Sequence, residues 1–90
     1  MKFGVIGTNW ITEKLIDAGK SIPDFELVAV YSRTEEKAIE FSQKHKIKYT
    51  FTSLEEMANS PLIDAVYIAT PNSLHAKQSI LFLENGKAVL

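Results

Sequence analysis

A turn near the amino terminus carries residues that could hold a phosphate group. Residues 4–12 read GVIGTNWIT, in which a short apolar run leads into a turn. Turns with three spaced glycines at such a place bind a diphosphate through backbone amides at the start of a helix. Here Gly7 is the first of the three, and Asn9 and Thr12 replace the others. Asparagine tolerates positive φ and its amide can donate to a phosphate oxygen, so the motif alone leaves open both a diphosphate site and a plain tight turn.

A second candidate site, Ser32, Arg33 and Thr34, follows the next β-rich segment. In dinucleotide-binding folds a carboxylate about 20 residues past the glycines holds the ribose hydroxyls, and this chain has a serine and an arginine there instead. A guanidinium flanked by hydroxyls suits a 2′-phosphate, and Lys37 could add charge one helical turn further on. We therefore expect NADP as the cofactor, with NAD also possible. The alternative is a surface arginine beside a helix N-cap.

The third candidate site is TPNSLH, residues 70–75, after the fourth predicted strand. In open α/β sheets ligands lie beyond the carboxyl ends of the strands, where the strand order reverses. Strands one and four flank that reversal, so this loop should face the turn at Gly7. His75 is the ionisable group nearest the expected nicotinamide. It could equally be a histidine at a helix start that packs on its neighbours.

The elements that must position these residues alternate between strand and helix. Short apolar runs predict five strands, at Lys2–Ile6, Phe25–Tyr31, Tyr49–Thr52, Ala65–Ala69 and Lys87–Leu90. Helical spacing and capping residues predict four helices between them: over 11–18, after Thr34, after Ser53, and over 74–85. The predicted inner faces are Ala38, Phe41 and His45 in the second helix and Ala76, Ile80 and Leu83 in the last. Such alternation implies right-handed crossovers and one α/β unit with an open parallel sheet covered on both faces.

Composition argues against several classes of protein. Ten basic and eleven acidic residues give a net charge of −1, whereas a nucleic-acid binder normally carries a basic excess. The absence of cysteine excludes disulfides and thiolate metal sites. No apolar run reaches the ~20 residues of a membrane span. We therefore expect no nucleic-acid or membrane partner, and a cytoplasmic location.

Four segments together resemble a known family of enzymes. GVIGTNWI, LVAVYSRT, DAVYIATPNSLHA and ENGKAVL, which span nearly all 90 residues, resemble the N-terminal part of the Gfo/Idh/MocA oxidoreductases. The most specific element is ATPN at 69–72 followed by His75. The resemblance implies an incomplete Rossmann dinucleotide-binding fold and NAD(P)-dependent chemistry on sugars, inositols and related polyols or diols.

By position, the resemblance also implies which residues bind the cofactor. The pyrophosphate would lie against Gly7, Thr8, Asn9, Trp10 and Ile11, and the adenosine ribose or its phosphate against Ser32 and Arg33. The nicotinamide-side ribose and pyrophosphate would be bordered by Thr70, Pro71, Asn72, Leu74 and His75.

The same resemblance implies that parts of the enzyme are missing. In the family the last strand continues into Glu-Lys-Pro, whose lysine assists proton transfer, and a C-terminal domain shapes the substrate pocket and often builds the oligomer. We therefore expect residues 1–90 to be a truncated N-terminal domain that is inactive alone. We assign it no catalytic residue and no metal ligand, and we expect a small-molecule substrate and a homo-oligomer through the missing domain. The alternative is a non-catalytic module that binds or senses NAD(P)H.

Overall fold

Five parallel strands form one sheet. The computed structural model describes residues 1–7, 14, 16–17, 19, 24, 26–69 and 72–89, with strands β1 Lys2–Ile6, β2 Glu26–Tyr31, β3 Tyr49–Phe51, β4 Ala65–Ile68 and β5 Ala88–Val89. Their order across the sheet is β3-β2-β1-β4-β5, and every pairing is parallel. The order reverses between β1 and β4, because β1 pairs with β2 on one side and with β4 on the other. The predicted open parallel sheet is confirmed.

Helices connect the strands. The helices with described bounds are α1 Glu35–His45, α2 Leu54–Ala58 and α3 Asn72–Glu84. Between β1 and β2, the described residues Lys14, Ile16, Asp17 and Gly19 are also helical. Each parallel connection therefore contains helical residues, as a crossover between parallel strands requires.

The starts of α1 and α2 follow from their capping residues. The backbone N–H of Lys37 donates to Thr34 Oγ1 at 3.3 Å, and the N–H of Glu56 donates to Ser53 Oγ at 3.3 Å. Each hydroxyl thereby satisfies a backbone donor that has no partner within its helix. Both predicted helix starts are confirmed. Lys46 ends α1 in the left-handed conformation, at φ 57°.

The sheet is covered on both faces by separate clusters of apolar side chains. One cluster packs the sheet against α2 and α3 and consists of Ile6, Val28, Ala29, Met57, Ala58, Ile63, Val66, Ile68 and Phe82. The other packs it against α1 and the helical residues before β2 and consists of Val5, Ile16, Val30, Phe41 and Ile47. Val5 and Ile6, neighbours in β1, enter opposite clusters because successive side chains of a strand point to opposite faces. Val28 and Ala29 enter the same cluster at the irregularity where the register between β1 and β2 shifts.

The predicted inner face of α3 is wrong. Ala76 is exposed, as are Ile80 and Leu83, at 54% and 59%. Among the side chains of α3 that the structure describes, the buried ones are Phe82, at 0%, and Gln78, at 8%. Apolar residues lie on every side of this helix, so their spacing does not select one face; the contacts with the sheet and with α2 do.

Element bounds differ from the predictions by one or two residues. The strands β3 and β4 each end one residue earlier than predicted, at Phe51 and Ile68. Helix α3 begins two residues earlier, at Asn72, and ends at Glu84. Differences of this size are usual at the ends of elements.

Candidate dinucleotide-binding site

Gly7 lies at the carboxyl edge of the sheet, between the ends of β2 and β4. Its backbone has φ 108°, and its N–H donates to the carbonyl oxygen of Tyr31 at 3.2 Å. A Cβ atom at Gly7 would lie 2.9 Å from the carbonyl oxygen of Ala69, whose own N–H donates to Ile6 at 2.9 Å. Both the positive φ and this close approach require a residue without a side chain. The first glycine of the motif therefore allows a tight turn, packed closely against the residue after β4, where the strand order reverses.

Ser32 to Thr34 lie at the end of β2, on the same edge. Ser32 is buried and its N–H donates to the carbonyl oxygen of Phe51, at the end of β3, at 3.1 Å. Arg33, Thr34 and Lys37 are exposed. Thr34 is the N-cap residue of α1, as the alternative interpretation of this segment requires, because its Oγ1 accepts from the Lys37 N–H. A hydroxyl that accepts can still donate its proton, so capping leaves Thr34 able to bind a phosphate oxygen.

Leu74 and His75 lie in the first turns of α3, directly after β4. Both side chains are half-buried, and His75 Nδ1 lies 3.3 Å from the Oγ of Ser79, one turn further along the helix. Because Ala69 follows β4 and approaches Gly7, the start of α3 belongs to the same edge of the sheet. The fold thus brings the described members of the three candidate segments to one edge.

An apolar groove between α2 and α3 was not predicted from the sequence. Its volume is about 220 Å³, and it is lined by Leu54, Leu74, Lys77, Gln78 and Leu81. Leu54 begins α2 and Leu74 belongs to the first turn of α3, so the groove reaches the carboxyl edge. The spacing of Leu74, Gln78 and Leu81 at i, i+4 and i+7 is the signal that could have indicated this side of α3.

Several predicted cofactor residues lie outside the described residues. These are Thr8, Asn9, Trp10, Ile11, Thr70 and Pro71. Asn72 is the first residue of α3, and the role assigned to its side chain stays a prediction. Within the described ranges, no helix is long and apolar enough to cross a membrane, and no group of three or more histidine, aspartate and glutamate side chains could hold a metal ion.

Known proteins resemble the chain over its whole length. It is 51% identical over 90 residues to scyllo-inositol 2-dehydrogenase (NADP(+)) IolU of Bacillus subtilis, covering 100% of this chain and 27% of that protein. It is 36% identical over 91 residues to trans-1,2-dihydrobenzene-1,2-diol dehydrogenase of Xenopus laevis, covering 99% and 28%. The crystal structure of an NAD-binding oxidoreductase from Klebsiella pneumoniae superimposes with a TM-score of 0.91 at 24% identity, covering 99% and 26%.

The chain thus spans little more than a quarter of the relatives that it matches. A model of one protein family, described as an oxidoreductase family with an NAD-binding Rossmann fold, matches residues 1–90. The strand order and the tight turn at Gly7 agree with this match, and the chain belongs to the Gfo/Idh/MocA oxidoreductase family.

Proposed function

We propose that residues 1–90 are the cofactor-binding part of a larger NAD(P)-dependent oxidoreductase that transfers a hydride between nicotinamide and a polyol, sugar or diol. The observation that carries this proposal is the position of Gly7, whose missing side chain lets β1 turn tightly against Ala69 at the strand reversal, where α/β folds bind nucleotides. The substrate class follows from the relatives, whose names specify an inositol and a diol. A cytoplasmic location, a homo-oligomer and a separate substrate domain stay predictions from the sequence.

In this proposal the chain's own residues bind and orient the dinucleotide. The nicotinamide, when bound, supplies or accepts the hydride. The turn after Gly7, with Thr8, Asn9, Trp10 and Ile11, would hold the pyrophosphate through backbone amides at a helix start. Ser32, Arg33 and Thr34 would hold the adenosine ribose side. The nicotinamide side would be bordered by Thr70, Pro71, Asn72, Leu74 and His75.

We further propose that the chain prefers NADP to NAD. Arg33 is exposed after β2, where a ribose-binding carboxylate is otherwise expected, and Lys37 is exposed in the first turn of α1, which also contains Glu35 and Glu36. The Thr34 hydroxyl accepts from the backbone and so has its proton to donate to a phosphate oxygen. The Bacillus subtilis relative carries NADP(+) in its name, which supports the same preference.

Binding of NADPH to the 90-residue chain tests the central proposal. We expect saturable binding, followed by the change in NADPH fluorescence when protein is titrated into the nucleotide. Circular dichroism on the same sample establishes that the chain is folded. A folded chain that leaves NADPH fluorescence unchanged at high protein concentration contradicts the proposal.

Turnover by the longer polypeptide distinguishes an oxidoreductase from the alternative sensing module. We expect NADP⁺ to be reduced when a cyclic polyol such as scyllo-inositol is supplied, because the Bacillus subtilis relative is named a scyllo-inositol 2-dehydrogenase. Tight binding of NADPH with no turnover on polyols, sugars or diols favours the sensing module.

The substitution Arg33→Asp tests the cofactor preference. We expect NADPH affinity to fall roughly 10- to 100-fold, because a charge-assisted hydrogen bond to the 2′-phosphate is replaced by repulsion. NADH lacks that phosphate and should lose far less. Both dissociation constants can be measured by fluorescence titration.

Lys44→Asp is the matched control, since it reverses one charge at the opposite end of α1. It should change the two affinities equally and only slightly through long-range electrostatics. An equal loss of NADPH and NADH affinity in Arg33→Asp shows that Arg33 does not bind the 2′-phosphate.

A further inference from the structure

A histidine and a serine form a side-chain pair near the start of α3. His75 Nδ1 and Ser79 Oγ are 3.3 Å apart, and both side chains are half-buried. The two residues are four apart in the helix, so they lie on the same face, one turn above the other. His75 is the fourth residue of α3, the helix that follows β4 and Ala69, whose carbonyl oxygen approaches Gly7.

The Ser79 hydroxyl is paired differently from another helical serine of the chain. In α1, Ser42 Oγ donates to the carbonyl oxygen of Ile39 at 2.7 Å, which is the common local bond of a serine within a helix. Ser79 pairs with an imidazole nitrogen instead. Such a bond restricts rotation of the histidine ring, whereas a bond to the backbone would leave the ring unconstrained.

The direction of this bond decides which ring nitrogen of His75 carries hydrogen. In a neutral imidazole one nitrogen donates and the other accepts. When the Ser79 hydroxyl donates to Nδ1, the half-buried hydroxyl proton is hydrogen-bonded. Nδ1 is then the accepting nitrogen, and the ring hydrogen lies on Nε2. Since Nδ1 is paired within the helix, Nε2 is the ring nitrogen that can contact a ligand, and in this tautomer it does so as a donor.

We propose that Ser79 is a positioning residue, which holds His75 as an Nε2–H donor towards an oxygen atom of the bound dinucleotide. This inference rests on the proposed function, which places His75 at the nicotinamide side of the cofactor. It adds a residue that makes no contact with the cofactor and acts through the ring orientation and tautomer of His75.

Nitrogen NMR of the histidine side chains tests the tautomer without any cofactor. The chain has only two histidines, so ¹⁵N-labelled histidine gives a simple spectrum, and loss of signals in His75→Gln assigns them. We expect His75 to show hydrogen on Nε2 in the wild-type chain. Ser79→Ala should produce a mixture of tautomers, and Ser79→Thr, which retains a hydroxyl, should restore the wild-type signals.

NADPH titrations of the same variants test the consequence for binding. Ser79→Ala should weaken NADPH binding roughly 2- to 10-fold, the effect of one hydrogen bond, and Ser79→Thr should recover it. In a His75→Gln background, Ser79→Ala should have no further effect, because the two residues act as a unit. Ser42→Ala is the matched control, which removes a helical serine hydroxyl from α1 and should leave both the His75 signals and the affinity unchanged.

If the wild-type chain binds NADPH, any one of three results overturns the inference. The His75 tautomer is unchanged in Ser79→Ala, or it changes with no loss of affinity, or the effects of Ser79→Ala and His75→Gln are additive. If the wild-type chain itself fails to bind NADPH, the proposed function fails and this inference fails with it. The wild-type titration therefore distinguishes the two kinds of failure.

Discussion

Replacing Gly7 with alanine is expected to abolish NADPH binding and to destabilise the chain strongly. At φ 108° a residue with a Cβ atom is strained, and this Cβ would lie 2.9 Å from the Ala69 carbonyl oxygen. Backbone strain costs about 1–3 kcal/mol and a forced overlap in a packed region costs about as much again. Relief requires β1 and the residue after β4 to separate at the edge where the cofactor is proposed to bind.

The glycine after α3 provides a matched control for this substitution. Gly86 also has positive φ, at 78°, but a Cβ there would meet nothing within 4 Å. Gly86→Ala should therefore lower the free energy of unfolding by only about 1–2 kcal/mol, the cost of a left-handed backbone for alanine. Its NADPH affinity should be unchanged. Urea unfolding followed by circular dichroism gives the two free energies of unfolding, and fluorescence titration under folding conditions gives the affinities.

Equal free-energy losses in the two glycine variants would show that the Ala69 contact has no energetic role. A Gly7→Ala variant that is folded and binds NADPH like the wild type would remove Gly7 from the cofactor site. Both results are measurable even when the Gly7 variant is weakly stable, because binding can be titrated at low temperature without urea.

The second large effect is expected from Phe82→Ala. Phe82 is fully buried between α3 and the sheet, in the cluster that also contains Met57 and Val66. Truncating a buried phenylalanine removes apolar burial and leaves a cavity, at a cost of about 3–5 kcal/mol. That is a large part of the ~5–15 kcal/mol that stabilises a typical domain. We expect a large fall in the urea midpoint, or loss of the folded state at room temperature.

The neighbouring substitution Leu83→Ala is the control, and it also tests the orientation of α3. Leu83 is 59% exposed in this chain, so its truncation should change the free energy of unfolding by no more than about 0.5 kcal/mol. If Leu83→Ala destabilises the chain as much as Phe82→Ala, α3 is rotated towards the face predicted from the sequence, and the packing described above is wrong.

Local signals in the sequence were sufficient to predict most elements. The run Lys2–Ile6 is the observed strand β1, and the hydroxyls of Thr34 and Ser53 cap the helices that they were predicted to cap. These features depend on residues a few positions apart, whose backbone preferences and hydrogen bonds act within the segment itself. Such signals remain valid whatever the rest of the chain does.

The face of α3 could not be predicted in this way. Its residues 74–83 include Leu74, Ile80, Leu81, Phe82 and Leu83, which together cover all sides of a helix. The polar Gln78 is buried while the apolar Ile80 is exposed. Hydrophobic spacing selects a face only when the other face is polar. Here the partners of the helix, the sheet below and α2 beside it, decide the orientation.

The candidate site shows the same division between local and long-range effects. The sequence identified Gly7, Arg33 and His75 as members of three separate segments, and the fold class implied that strands one and four flank the reversal. What the sequence could not supply is the approach of Gly7 to the Ala69 carbonyl and the pairing of His75 with Ser79. These depend on distances between atoms, which spacing along a chain does not fix.

By itself, therefore, the sequence determined the alternation of strands and helices, the helix starts at Thr34 and Ser53, and the family to which the chain is similar. Each of these is encoded in neighbouring residues or in whole motifs. Only the tertiary structure decided which side of α3 is buried, where the groove beside Leu74 lies, and why Gly7 has no room for a side chain. The physical reason is that burial and close contact are properties of pairs of elements, and those pairs form only when distant segments pack together.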